Sequence, residues 1–460
     1  MNEGRLATAT ALPQGGRPQP GRPRMQRAGA GSWWSELVGS VEWTPGYVGF
    51  LYYIFVVVTY WLPGADIAIV LALVSLLLRP QDWRMCPFLW IFGAFVGWCV
   101  VCYLSSEYKA ASWEQTNAVL KTWLIAFTAY NVVRTRAQLR FFLAFAVGCF
   151  VLFPTRGAFI NYFGGYSVWG RALWNFAYSN PNDLAAYALL YTSLACALFF
   201  IVRTSMLRLA SLGAVGLLLL LIFFTQSRGA MLAAGMVGAV VLFANRRNVR
   251  VLLGAVGLVV AAVVVAPKGA FDRVTALFGA SVGAGFRGAD REGSAEQRYQ
   301  ILQVAAAVAN DHAFLGVGPG VYPIVHGVYA ERLRGQYPTA RGKRDAHNTV
   351  MRTLAETGWI GLGLFVSMMV VSWSRAYAIQ RKFTKAPDPV IRFLSFGLLA
   401  FMLAGLFGSF TYLNVLYLQL ALLEVAMSLA LGVTNRVAQP VNGRPLRPRA
   451  SPRRASLRGT

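Results

Sequence analysis

Apolar runs of membrane-spanning length recur along this chain, and they limit its fold more than any other feature. A helix crosses the hydrocarbon core with about 20 apolar residues, because its backbone polar groups are then satisfied within the segment. Twelve runs can be read: residues 47–62, 65–78, 87–104, 117–133, 139–153, 184–202, 207–224, 230–244, 251–265, 359–377, 390–412 and 415–433. The second is short, and the fourth carries Lys121, which either snorkels or faces the bundle interior. Only 13% of residues are charged, against about a quarter in soluble domains. The expected fold is an all-α membrane protein with about 12 transmembrane helices and one large outer loop containing short amphipathic helices.

The expected division is a disordered basic cytoplasmic tail (1–43), transmembrane helices one to nine (44–266), a large polar loop (267–356), helices ten to twelve (357–433) and a second basic tail (434–460). No hydrophobic stretch precedes Trp43, so no cleavable signal peptide is read. Arginine placement gives an independent check. With the N-terminus inside, the inner connections hold Arg79 and Arg84, then Arg134, Arg136 and Arg140, then Arg203 and Arg208, then Arg246, Arg247 and Arg250, then Arg375, Arg381, Lys382 and Lys385. Positive charge concentrates on the cytoplasmic side of membrane proteins. The polar loop then falls outside, in the periplasm of a Gram-negative cell, and both termini are cytoplasmic. The formal net charge of +25 is thus a topological bias. It does not form one continuous face, which argues against nucleic acid. The five cysteines lie in or beside apolar runs, so neither a disulfide framework nor a Cys-based metal site is expected.

Some basic residues depart from the inside rule. Arg156 and Arg171 fall between the fifth and sixth runs, Arg228 sits in Thr225-Gln226-Ser227-Arg228-Gly229 between two apolar runs, and Arg298 lies in the large loop. An arginine near the membrane that topology does not require is a functional candidate, although Arg228 also reads as a snorkelling residue ending a helix. In the loop, Ser294-Ala295-Glu296-Gln297 has the form of a capping box. Apolar Ile301, Leu302, Ala305 and Val308 follow at helical spacing, giving an amphipathic helix able to lie on the membrane surface with Arg298 in its first turn. Gly316-Val317-Gly318-Pro319-Gly320 is a tight turn; it lacks the Lys-Ser/Thr of a P-loop and the preceding strand of a dinucleotide fingerprint. Asp345 is placed to cap a helix ending at Gly358, with His347 in its first turn. His347 can be a general base or a capping and packing residue. The histidines at 312, 326 and 347 have no paired carboxylate spacing that would make a zinc site.

Four motifs resemble the O-antigen ligase and polymerase family: Ser227-Arg228-Gly229, Arg298 opening the loop helix, Phe314-Leu315 running into the glycine turn, and Ala346-His347-Asn348-Thr349 followed by Leu354-Ala355-Glu356-Thr357-Gly358 and Gly361-Leu362. The resemblance covers residues 180–370, and the whole chain by topology. Arg156-Gly157-Ala158-Phe159, Gly164-Gly165 and Asn180-Pro181-Asn182-Asp183 are similar to the branch of O-glycosylation ligases found beside exosortase systems. Leu302 stands where the family often has an aromatic residue, and Ala313 where it often has proline. The resemblance implies a GT-C-like scaffold in the bacterial inner membrane that moves a glycan from an undecaprenyl-diphosphate carrier to an acceptor hydroxyl. It implies His347 as the base and Arg228 and Arg298 as clamps on the diphosphate, with Arg156 and Arg171 as further substrate contacts. No cofactor and no metal are needed. The partners implied are a lipid-linked oligosaccharide or polysaccharide donor, a lipid A-core, protein or growing-glycan acceptor, and membrane lipids. A polymerase would differ in acceptor alone. A twelve-span transporter is the reading from another class, but no repeat of the two halves and no pair of broken midplane helices is evident.

Overall fold

The computed structural model describes residues 32–78, 81, 83–244, 257, 260, 294–382 and 387–432. Proline sets several helix starts. Thr44, Cys86, Asn180 and Asp388 each take an extended N-cap conformation before a proline, whose missing N–H costs nothing in a first turn. In chain order the helices are α1 (Trp33–Val38), α2 (Pro45–Thr59), α3 (Ala65–Leu77), α4 (Pro87–Ser105), α5 (Lys109–Val132), α6 (Arg136–Phe150), α7 (Arg156–Phe163), α8 (Pro181–Ile201), α9 (Ser205–Thr225), α10 (Arg228–Ala244), α11 (Ser294–Asp311), α12 (Tyr322–Arg332), α13 (Thr349–Lys382), α14 (Pro389–Gly405) and α15 (Asn414–Ala430). Among the described residues the regular elements are helical, apart from an isolated bridge between Val168 and Arg171.

Among the described residues, five stretches are long and apolar enough to cross a membrane: α4, the run Arg136–Phe163, α8, α9 and α13. Five more apolar helices, α2, α3, α10, α14 and α15, are shorter. At 1.5 Å per residue, the 15 residues of α2 reach roughly 22 Å, less than the hydrocarbon thickness of about 30 Å. The expected span at 251–265, the loop segment 267–293 and most of both tails lie outside the described residues. Helix α8 is central, buried on all faces and packed against α6, α9 and α14.

The structure corrects the sequence reading in several places. The fifth run does not stop at Phe153: α6 passes through a π-helical turn, Val151–Thr155, into α7. The π turn accommodates Pro154, so Arg156 stands on a helix and not in a loop. The eleventh run ends at Gly405 instead of Tyr412, and residues 406–413 form a connection that returns to the candidate site. Part of the segment read as a tail is folded. Leu37 and Val41 are buried, and Gln138 Nε2 donates to the Glu42 carbonyl at 2.7 Å. The apolar face of α11 is also covered by protein, not left for a membrane surface. Ile301, Val304, Ala305 and Val308 pack on Tyr322, Val325, Leu333 and Leu354.

The connections read as inner gather at one end. Arg136 pairs with Asp388 at 3.0 Å, Arg140 donates to Ser40 at 3.2 Å, and Glu36 receives the backbone N–H groups of Arg203 and Thr204. Contacts between the polar loop and the bundle form a separate group, around the glycine turn.

Candidate functional site

Three glycines shape that turn: Gly316, Gly318 and Gly320 have φ of +66°, +104° and +74°, values that strain any residue with a Cβ. A Cβ on Gly318 would also stand 2.6 Å from Ser106 Oγ. The turn is stitched to α13 at a break in that helix, where Gly358 has φ 65° and ψ −172°. The Val317 N–H donates to the Ala355 carbonyl at 2.9 Å, and the Gly318 N–H to the Glu356 carbonyl at 3.0 Å. From the bundle, Ser106 Oγ donates to the Val317 carbonyl at 2.7 Å and Trp98 Nε1 to the Thr357 carbonyl at 2.8 Å.

Glu356 is the hub of this junction. Its fully buried carboxylate accepts from the N–H groups of Gly320 (2.9 Å) and Tyr322 (3.2 Å), the Tyr412 hydroxyl (2.5 Å) and Arg352 Nε (3.2 Å). Arg352 reaches on to Asp345 at 3.4 Å. The expected cap is displaced. Asn348, not Asp345, caps α13 by accepting from the Met351 N–H at 2.9 Å, while the Asp345 carboxylate is engaged by Arg352 and its own neighbour's N–H. His347 therefore lies outside the helix. It is half-buried, with φ 48° in the left-handed region, a conformation uncommon for residues other than glycine.

The electrostatics around His347 define the site. Burial lowers its proton affinity below the ordinary imidazole value. The Asp345 carboxylate opposes that shift, and Arg298, Arg344 and Arg171 reinforce it. These effects together favour the neutral imidazole. Arg171 is fixed by donating from Nε to the Thr225 carbonyl and from Nη2 to Asn182 Oδ1, both at 2.7 Å. These bonds place it on the turn that holds Arg228. There Gln226, at φ 50°, ends α9 and donates to the Gly170 carbonyl at 2.9 Å. Gly229 packs so closely that a Cβ would stand 2.7 Å from Phe407 Cβ. Phe407 belongs to the connection whose Leu406 and Gly408 carbonyls accept from Asn348 and Thr349.

The structure thus brings together His347, Arg298 and Arg171, and connects Arg228 to them through residues 406–408. Arg156 is exposed on α7, and no described contact joins it to this group. Gln297 donates to the Thr339 carbonyl at 3.2 Å; the side chain of Ser294, its expected capping partner, lies outside the described residues. His326 is buried against the Gly342 carbonyl at 2.9 Å, and burial lowers its proton affinity. His312 is exposed. The sequence reading gave no role to Arg352 or Tyr412, and quoted Glu356 and Asp183 only within family motifs; Asp183 lies close enough to Asp345 and Arg352 to feel both charges. Arg352 and Glu356 at i,i+4 were a further signal. Among the described residues, no cluster of His, Cys, Asp and Glu has the makings of a metal site.

The architecture is that of a helical membrane protein with a histidine set among arginines where a polar segment meets the bundle. Residues 213–366 are similar to the O-antigen ligase family model, a likeness that supports a glycosyltransferase-type enzyme only broadly. The match runs from mid-α9 into α13 and contains Arg228, Arg298, the glycine turn, His347 and Glu356. No curated protein sequence matches the chain.

Proposed function

We propose that this protein transfers a glycan from an undecaprenyl-diphosphate carrier to an acceptor hydroxyl by a metal-independent, inverting displacement. The observation that carries the reading is a left-handed His347 set among cations, its proton affinity lowered by burial and by Arg298 and Arg171. His347 takes the proton of the acceptor hydroxyl as that oxygen attacks the anomeric carbon. The bond from that carbon to the phosphate oxygen breaks on the opposite face. Negative charge grows on the departing diphosphate, and arginines fixed before the reaction stabilise that charge more than the ground state. Arg228, Arg298 and Arg171 are assigned to the diphosphate; Arg156, exposed on α7, is an outlying contact for the bound substrate. Arginine suits this task because its fork matches phosphate oxygens and stays charged.

The proposed topology has both termini in the cytoplasm, twelve spans and the 267–356 segment in the periplasm. A donor with its lipid in the bilayer and its sugar in water meets such a site at the membrane surface. Purified protein in nanodiscs, given lipid-linked donor and a core-sugar acceptor, tests the reading. His347→Ala should insert normally and lose transfer, and the product anomer should be inverted. Transfer by His347→Ala near the wild-type rate would sink it. Elongation of the lipid-linked glycan in place of capture by the acceptor would identify a polymerase.

A further inference from the structure

The most extensively bonded side chains of the site take no part in the steps above. Glu356 holds Arg352, and Arg352 holds Asp345, two residues before His347. On the other flank, Asn348 donates to the Leu406 carbonyl at 3.1 Å, and Thr349 Oγ1 donates to the Gly408 carbonyl at 2.7 Å while accepting from the Phe410 N–H at 3.0 Å. The strained residue is therefore gripped on both sides. A left-handed non-glycine residue persists only where its surroundings over-determine it, and such residues concentrate at functional sites.

Extending the reading of His347 as the base, on which this inference rests, we propose that Asp345 is a positioning residue for His347, and that Arg352, anchored on Glu356, meters the negative charge that Asp345 presents to the imidazole. The charged groups facing His347 are Asp345 and Arg344 from its own segment, Arg298 from α11 and Arg171 from the segment before α8. Asp183, at the head of α8, and Arg352 act in turn on Asp345. Asp345 is the one carboxylate among the groups acting directly on the histidine. When the imidazole accepts the acceptor's proton, the Asp345 carboxylate stabilises the imidazolium against three arginines. Arg352 keeps that stabilisation partial, so that His347 is still unprotonated at the start of the next turnover.

The two arms of this device predict shifts of opposite sign. Transfer requires neutral His347, so the rate rises with pH through the histidine's proton affinity. Asp345→Asn removes the group that raises that affinity. Its acid limb should move to lower pH by about 1 unit, and kcat should fall about tenfold with donor KM unchanged. Arg352→Gln combined with Glu356→Gln leaves Asp345 unpaired without stranding a buried carboxylate, and should move the limb about 1 unit higher. The chain has three histidines, so carbon-13 histidine NMR of the protein in nanodiscs reads the same shifts without activity, and serves if the double variant transfers nothing. Limbs or NMR titrations that coincide with wild type, or that move in the same direction, overturn the inference. That failure is distinct from failure of the proposed function, which His347→Ala decides alone.

Discussion

Replacing Glu356 by alanine should cost more stability than any other single change in the polar segment. The carboxylate has no solvent exposure and four donors: two backbone N–H groups, the Tyr412 hydroxyl and Arg352 Nε. Removing one partner of a buried ion pair costs about 3–5 kcal/mol, because the remaining charge is left uncompensated. Each stranded neutral donor adds a desolvation penalty of about 1–3 kcal/mol, but these overlap within one network. Arg352 keeps Asp345 at 3.4 Å and 15% side-chain exposure, which softens the loss. The expectation is therefore about 4 kcal/mol for Glu356→Ala, with Glu356→Gln intermediate because one amide oxygen replaces two carboxylate oxygens. Tyr412→Phe should cost about 1 kcal/mol in the wild-type background. In the Glu356→Ala background its hydroxyl has already lost its acceptor, so the same change should be nearly neutral. Equilibrium unfolding in mixed micelles, followed by tryptophan fluorescence, measures this cycle. A loss below about 1 kcal/mol for Glu356→Ala, or an equal cost of Tyr412→Phe in both backgrounds, would show that Glu356 is not the hub the hydrogen bonds describe.

Two further outcomes are expected. Gly229→Ala places a methyl group 2.7 Å from Phe407 Cβ, so it should push the Arg228 turn off the 406–408 connection and raise donor KM several-fold while the protein still inserts, read by steady-state transfer kinetics. Arg298→Gln should weaken donor binding about 10- to 100-fold, as expected for loss of about 1.5–3 kcal/mol of charge-assisted contact; titration with lipid-linked donor checks it, and unchanged affinity would remove Arg298 from the diphosphate site.

The parts of the fold that depend on local pattern could be read from the sequence, and those that depend on partners could not. Apolar runs foretold most described helices, and the three glycines foretold a turn because few other residues adopt its torsions. The fifth run was ended at Phe153, just before Pro154, yet a π turn carries the chain past that proline. Asp345 was read as a cap because Asp and Asn are nearly equal in that role. What decided between Asp345 and Asn348 was Arg352, whose reach to Asp345 is a tertiary fact. The face of α11 was correctly periodic, but periodicity does not say whether protein or lipid covers it.

The same distinction explains why the arginines announced the site while its carboxylates did not. An arginine at a membrane face stands out against the topological rule, so Arg171, Arg228 and Arg298 are conspicuous in a single sequence. Glu356 and Asp345 sit in a polar segment where acidic residues are unremarkable, and only their partners reveal what they do. Together they resolve a conflict built into the proposed chemistry. A site cationic enough to hold a diphosphate also opposes protonation of its own base, which helps the histidine start neutral but hinders it from accepting a proton. In that proposal the Asp345 carboxylate near the base, restrained by the half-buried Arg352, lets one site do both. The left-handed turn at His347 sets the proposed base within electrostatic reach of that carboxylate and of the arginines proposed to bind the diphosphate.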